Sequence, residues 1–555
     1  MSTDLQTPAP PKHQASRPWS VPRRPAPGLR RGRWIDRWEP EDAAFWDRGG
    51  RAIARKNLAF SIFAEHLGFN IWVLWTIIVL NLADIGITLS IAQLFWLTAI
   101  PNLIGSALRI PYTFALPRFG GKLWTTISAS LLLIPVTLVA VVLPSGWLHH
   151  HATNTQFWIL FACAATAGLG GGNFSSSMAN ISFFYPERRK GFALGLNAAG
   201  GNLGVAVTQL LVPLVVIIGV PAAAVKLPIH QVHLAYAGIL WMPFIVAAAI
   251  GAYYYMDSLT QARTDTKAYA QAVGNSHTWI MSLLYIGTFG SFIGYSFALP
   301  LVIKNTFPEF LAHHVFIATY LAGLGFMGAL LGSLARPLGG ATADRIGGAR
   351  VTLASFIGMG IFTGTAIAAV DSHSFTWFFV SYMFIFFLSG IGNGSAYRMI
   401  PAIFAVLGRR HAADHGLDER ETSLSFKRQT AAVIGIAGSI GAFGGFLIQV
   451  VFRQASLHVS GLLTKATASG AKVTTPLTNA IKTSHNKALV AHDKVLLAHD
   501  KAAGLQGKVV IAHANSHWSI GALQVFLAAY LLLALVTWFF YMRRSTDASL
   551  ATASI

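Results

Sequence analysis

The chain has 555 residues, of which 54% are hydrophobic and 11% charged, and its formal net charge is +20. A soluble chain of this length carries about a quarter of its residues charged, so a cytosolic multidomain enzyme is disfavoured. Twelve apolar spans of roughly 20 to 25 residues need on the order of 270 residues, and a polytopic membrane protein fits.

Residues 1–56 hold no apolar run and carry Arg17-Pro18, Arg23-Arg24-Pro25 and Arg30-Arg31-Gly32-Arg33. No cleavable signal follows this basic start, which reads as a cytoplasmic tail. Trp34, Trp38, Phe45 and Trp46 suggest a short amphipathic helix lying on the membrane surface. Apolar segments follow at approximately 58–82, 90–115, 122–144, 156–185, 191–219 and 232–256. A second series runs at approximately 278–303, 315–341, 350–370, 375–405, 429–452 and 518–541. The expected fold is therefore all-α: twelve transmembrane helices in two six-helix halves, 57–256 and 278–541, joined by a polar linker at 257–277.

Loop composition alternates. Arg118 to Lys122, Glu187 to Lys190, Arg345 to Arg350, Arg409-Arg410 with Lys427-Arg428, and Arg543-Arg544 are basic; Leu82 to Ser90, Pro144 to Gln156 and Asp371 to Phe375 are nearly free of Lys and Arg. Basic loops stay on the cytoplasmic side, so both termini, including the tail 542–555, are expected there. The same rule accounts for the excess of 41 Lys and Arg over 21 Asp and Glu without nucleic acid. The Lys-rich stretch 453–517 falls on the outside and reads as an extracytoplasmic insertion, long enough to escape the rule. Its stripe His485, His492 and His499 reads as a solvated helix face, because i, i+7 spacing is too wide to share an ion. His149-His150-His151 and His313-His314 read the same way. With Cys163 the single cysteine, no disulfide within the chain, metal site or cofactor is expected.

The chain repeats itself. Arg109-Ile-Pro111…Arg118-Phe-Gly120-Gly121 closes segment two, and Arg336-Pro337…Arg345-Ile-Gly347-Gly348 closes segment eight at identical spacings. Parallel duplication of two halves puts a substrate between them near the midplane. Arg109 and Arg336 occupy equivalent positions inside apolar segments, where a charge costs at least ~2.5–3.5 kcal/mol. Almost no carboxylate is at hand to neutralise them, Glu65 in segment one being the main exception. Two guanidinium groups facing one cavity call for a small anion with oxygens that accept paired hydrogen bonds.

Segment five carries Gly195, Asn197, Gly200, Gly201, Asn202 and Gly204, and segment eleven carries Gly435, Gly438, Gly441, Gly444 and Gly445. Spacings of three and four put the glycines on one face and allow close helix approach. Asn197 and Asn202 need partners in so dry an interface, and one of them is expected to donate to the substrate. Tyr285 and Phe289, four apart on segment seven, and Phe174 on segment four are candidate aromatic contacts.

The run Gly170-Gly171-Gly172-Asn173-Phe174-Ser175-Ser176-Ser177-Met178-Ala179-Asn180-Ile181-Ser182-Phe183-Phe184-Tyr185-Pro186, the glycines of segment five and Tyr285-Ile286-Gly287-Thr288-Phe289-Gly290 resemble the nitrate/nitrite porter family of the major facilitator superfamily. The resemblance covers nearly all of 57–452 and the last segment. It implies nitrate and nitrite as substrates, Arg109 and Arg336 as the clasp, Phe174 and Phe289 as a sandwich for the flat ion, and Asn202 and Tyr285 as hydrogen-bonding partners. It also makes Gly195, Gly200, Gly201, Gly204, Gly438, Gly441, Gly444 and Gly445 parts of two signature motifs on which helices slide. The implied setting is the inner (plasma) membrane and the lipid bilayer. The chain is read as a monomer and, with no intramembrane His/Asp/Glu/Cys cluster evident in the sequence, not as an enzyme. Two uncompensated guanidinium groups favour nitrate/nitrite antiport by alternating access. Glu65-His66, a protonatable pair out of place in an apolar segment, keeps nitrate/proton symport open unless Glu65 pairs with Arg55 or Lys56. Export of another small organic anion is the remaining alternative.

Overall fold

The computed structural model describes residues 29–30, 34–220, 232–262, 266–468 and 517–543. The stretch from 469 to 516, with the three histidines of the expected stripe, lies outside the described residues, as do most of 1–33 and the last residues of the chain. Long helices dominate, as continuous apolar sequence in lipid requires, because only a helix satisfies its own backbone. They are α1 (Arg51–Val73), α2 (Ile91–Leu131), α3 (Thr153–Phe184), α4 (Glu187–Val215), α5 (Met242–Tyr255), α6 (Ser276–Tyr285, continuing through a π-helical turn Ile286–Gly290 into Ser291–Thr306), α7 (Gly325–Ile346), α8 (Gly348–Asp371), α9 (Phe375–His415), α10 (Glu419–Ala468) and α11 (Ile520–Tyr541).

Ten helical stretches are long and apolar enough to cross a membrane. One of them, Ile91–Val142, is two rods: Gly120 has φ 76° and breaks the helix. The second half breaks at the matching residue, Gly347 with φ 93°, between α7 and α8. Both reversals require a backbone conformation that glycine alone adopts freely. α7, which carries Arg336, Asp344 and Arg345, is too polar to count among the ten by composition, yet it stands where α2 stands in the first half. Dividing α2 and setting α7 beside it gives each half a matching pair of rods about a glycine break.

Local signals set several boundaries. Ser90 and Gln93 form a reciprocal capping box that starts α2, the Ser374 hydroxyl caps α9, and Gly416 with φ 61° ends it. α10 begins ten residues before the expected segment and runs on to Ala468, past the expected start of the insertion.

α2 packs along α3 as α7 packs along α9, and the halves meet where α2 faces α10 and α4 faces α7. One end of the bundle is covered by the N-terminal segment, and the other end lies near Leu80 and Lys304. At the covered end, β1 (Leu29–Arg30) pairs antiparallel with β2 (Trp34–Ile35), which pairs parallel with β3 (Ser258–Leu259) after α5. The expected surface helix at Trp34 to Trp46 is not what forms. Trp38 and Trp46 are buried, with Trp38 edge-on to Phe184 at 5.4 Å and Trp46 edge-on to Tyr185 at 5.6 Å. The rings have a protein pocket to enter at the end of α3, so they leave the lipid surface.

Candidate functional site

Arg109 is fully buried on α2. Its Nε donates to the Gly171 carbonyl of α3 at 3.1 Å, and its Nη1 donates to the Gly438 carbonyl of α10 at 2.6 Å. One guanidinium therefore bridges the two halves, and its Nη2 has no partner. Arg336 on α7 donates from Nη2 to the Tyr285 hydroxyl at 3.1 Å, and its Nη1 has no partner. Neither arginine forms an ion pair among the described residues. Each half thus contributes one buried, positively charged nitrogen with hydrogens to spare, an arrangement that burial makes costly unless an anion completes it.

The aromatic residues gather around these two nitrogens. Phe174 on α3 and Phe289 in the π-helical turn of α6 lie nearly parallel, 22° apart with centroids separated by 6.1 Å. The Arg109 guanidinium carbon is 4.7 Å from the Phe174 centroid and 5.2 Å from that of Phe289; the Arg336 carbon is 5.9 Å and 6.0 Å from the same rings. Those distances fall in the cation–π range and hold both cations against one ring pair. A flat ion between ring faces needs about 7 Å, so a sandwich requires a small separation of α3 and α6. Tyr285 stacks on Phe289 at 5.4 Å.

The site is dry. Arg109, Arg336, Tyr285, Phe174, Phe289, Asn197 and Asn202 are all 7% exposed or less. Towards the end away from the N-terminal segment, the halves are sealed. Gln209 Nε2 donates to the Ser296 carbonyl at 2.6 Å, Thr98 Oγ1 donates to Gln449 Oε1 at 2.9 Å, Phe95 stacks on Phe452 at 5.6 Å, and Lys304 Nζ bonds the Leu80 carbonyl. At the level of the site itself, Ser439 Oγ donates to the Ser106 carbonyl at 2.7 Å, beside the Arg109 tether. An ion reaches this position only if the halves part.

The remaining expected residues divide. Asn202 is buried with its Oδ1 unpartnered. The Asn197 amide nitrogen is committed elsewhere, donating to Glu65 Oε2 at 2.8 Å and Ser177 Oγ at 2.7 Å. Glu65 pairs with neither Arg55 nor Lys56. It is 1% exposed, and Lys56 bonds Asp257 instead, at 2.9 Å. His66 turns away from it, its Nδ1 2.9 Å from the Gly200 carbonyl.

Close approach explains most of the glycines. A Cβ on Gly201 would lie 2.8 Å from Glu65 Oε1, one on Gly444 2.8 Å from the Gly290 Cα, and one on Gly445 2.6 Å from an Ile293 methyl. Gly200, Gly204 and Gly441 likewise have neighbours where a Cβ would go. Gly195 has nothing within 4 Å, and the nearest atom to Gly438 is Arg109 Nη1 at 4.0 Å, so Gly438 serves through its carbonyl. Sequence reasoning missed three contributors: Tyr397, whose ring is 5.6 Å from the Arg336 guanidinium carbon; Trp72, 5.5 Å from that of Arg109; and the Gly438 carbonyl. Tyr397 follows the weakly repeated Gly392-Asn393-Gly394-Ser395 by two positions, a usable signal; a backbone carbonyl leaves none.

Residues 58–449 match the family described as the Major Facilitator Superfamily. The nitrate/nitrite transporter NarU of Escherichia coli (strain K12) is 36% identical over 436 residues, covering 76% of this chain and 90% of that protein. This chain belongs to the nitrate/nitrite porter family of the major facilitator superfamily. The probable nitrate/nitrite antiporter NarK2 of Thermus thermophilus is 35% identical, over 76% of this chain and 89% of its own. Among solved structures, a bacterial homologue of the human lysosomal transporter Spinster, inward-facing and occupied, superposes with TM-score 0.55 at 16% identity, covering 87% of this chain and 95% of that one, a likeness of fold alone. Membership makes the chain a multi-pass membrane transporter rather than an enzyme, and its buried interface between halves is where such a protein binds cargo.

Proposed function

We propose that the chain carries nitrate and nitrite across the plasma membrane by alternating access, exchanging one for the other. The observation that supports this best is the pair of unpartnered nitrogens, Arg109 Nη2 and Arg336 Nη1, one from each half and both held over Phe174 and Phe289. The geometry refines the clasp. Because Arg109 spends two of its three nitrogens on Gly171 and Gly438, the anion takes one charged donor from each arginine rather than a full fork from both. Tyr285 aims Arg336, and Asn202 on α4 would serve the cargo through its amide N–H donors, since its unpartnered Oδ1 is an acceptor and does not hold an anion. A small, flat, weakly hydrated monovalent ion suits two donors and two ring faces, whereas a tetrahedral dianion is too thick for the slot and too costly to dehydrate.

An ion bridging Arg109 and Arg336 ties both halves to one centre, and returning without cargo leaves two buried guanidinium charges uncompensated, which favours exchange. The N-terminal segment and the basic loops lie at one end, and the positive-inside rule makes that end cytoplasmic. The names of the relatives, a nitrate/nitrite transporter and a probable nitrate/nitrite antiporter, agree with this reading. Labelled-nitrate counterflow into proteoliposomes tests it: uptake driven by internal nitrite supports exchange, and uptake indifferent to internal anion opposes it.

A further inference from the structure

The linker between the halves ends in a short helix, Thr266–Gly274, that lies along α10. It is fastened to the second half. Ala268 and Ala272 are buried, Gln429 Nε2 of α10 donates to Gln271 Oε1 at 3.2 Å, and Thr278 Oγ1 of α6 donates to the Ala272 carbonyl at 2.6 Å. Towards the first half it presents Tyr269. That ring lies 5.3 Å from the ring of Phe114 on α2, and its hydroxyl bonds the Thr113 side chain. Thr113 Oγ1 already donates to the Arg109 carbonyl at 2.8 Å, so the tyrosine supplies the proton of the bond between the two hydroxyls. On the other side of the seam, a Cβ on Gly435 of α10 would lie 2.8 Å from the Tyr269 hydroxyl oxygen, so a residue without a side chain is what admits the hydroxyl there.

The place of this wedge along the seam gives it a role. Thr98 with Gln449 joins α2 to α10 at the far end, and Arg109 with Gly438 joins them at the anion clasp. Thr113 lies one turn beyond Arg109, and Gly435 one turn before Gly438, both towards the end covered by the N-terminal segment. Tyr269 therefore joins the same two helices one turn inward of the clasp. We infer that Tyr269 is a gate residue for the anion: it closes the inner side of the α2–α10 seam and leaves Thr113 and Phe114, still carried by α10, when cargo passes. The inference rests on the alternating access proposed above. As the inner end opens, the linker helix follows the half that holds it by buried alanines and by the Gln429 and Thr278 bonds. A phenol suits such a contact. Its ring keeps water out of the closed seam, and its neutral hydroxyl gives up a single hydrogen bond that water replaces on opening, so neither form is strongly favoured. Gly435, which the resemblance leaves out of the two signature motifs, is accounted for by this contact.

Hydrogen-exchange mass spectrometry of purified full-length protein in detergent tests this, because it reads both ends of the seam together and needs no cargo. Loss of the contact shifts the population towards the form open at the inner end. In Tyr269→Phe, which removes the hydroxyl, amides of α2 around Thr113 and of α10 around Gly435 are expected to exchange about two- to tenfold faster, the equivalent of one net hydrogen bond. Amides around Thr98 and Gln449 are expected to exchange more slowly, since the inner end opens as the far end closes. Tyr269→Ala, which removes the ring as well, and Gly435→Ala, which crowds the hydroxyl from the α10 side, are expected to shift both ends in the same directions. A merely structural role would loosen the inner end alone. Unchanged or faster exchange at the far end in Tyr269→Phe therefore overturns the inference, as does unchanged exchange at the inner end. If Tyr269→Ala does not fold, Tyr269→Phe and Gly435→Ala decide. A wild type that exchanges no labelled nitrate overturns the anion reading without altering the amide response, so the two failures are told apart.

Discussion

Replacing Arg109 with lysine separates charge from geometry. The guanidinium makes three directed uses of its nitrogens, to Gly171, to Gly438 and, in the proposed function, to the anion. An ammonium has donors on a single nitrogen, so it can serve Gly438 or the anion in place, but not both with the present spacing. If it turns to the anion, the Gly438 carbonyl is left buried without a donor, at about 1–3 kcal/mol; if it keeps Gly438, the anion loses a charge-assisted bond of about 1.5–3 kcal/mol. In the second case nitrate affinity falls by about 10- to 150-fold at about 1.4 kcal/mol per decade. Lysine also loses the flat contact with Phe174 at 4.7 Å, which pushes the effect to the upper end. Calorimetric nitrate titration of monodisperse wild-type and Arg109→Lys protein measures this, with labelled uptake as the functional readout. Affinity within about threefold of wild type would refute the account, because a bare charge would then suffice.

Tyr285→Phe removes the acceptor of Arg336 Nη2 at 3.1 Å and is expected to weaken nitrate binding by roughly tenfold, read in the same titration, while leaving the fold intact. Gly290→Ala puts a methyl against the Gly444 backbone at 2.8 Å and is expected to destabilise by about 1–3 kcal/mol in detergent melts. Gly195→Ala, with open space around it, is expected to be neutral or up to about 1 kcal/mol stabilising in the same melts. Trp46→Ala empties a buried site against Tyr185 and is expected to cost about 3–5 kcal/mol of stability, whereas a surface-lying residue would cost almost nothing.

The arginines were legible because a charge inside an apolar segment is conspicuous, and the repeated spacing to the following glycines tied one to the other. That same repeat made α7 legible despite Arg336, Asp344 and Arg345, and Gly120 and Gly347 bend the chain at matching points. What stayed hidden depends on neighbours distant in sequence. Asn197 looked like a cargo ligand because its helix is right; its amide meets Glu65 and Ser177 only because α1, α3 and α4 converge. Lys56 was a plausible partner for Glu65 along the helix, but Asp257, two hundred residues on, takes it. Trp38 and Trp46 fitted a surface helix until Phe184 and Tyr185 supplied a pocket. The Arg109 tether ends on a carbonyl, which no side-chain pattern encodes.

The central claim is that two arginines from opposite halves hold a small planar anion that must be exchanged. Labelled-nitrate counterflow in proteoliposomes, with internal nitrate, nitrite or sulfate, tests it most directly. The account predicts rapid uptake against internal nitrate or nitrite, little against sulfate, and severe loss in Arg109→Lys and Arg336→Lys protein. Equal uptake against sulfate, or undiminished uptake by either variant, would contradict it.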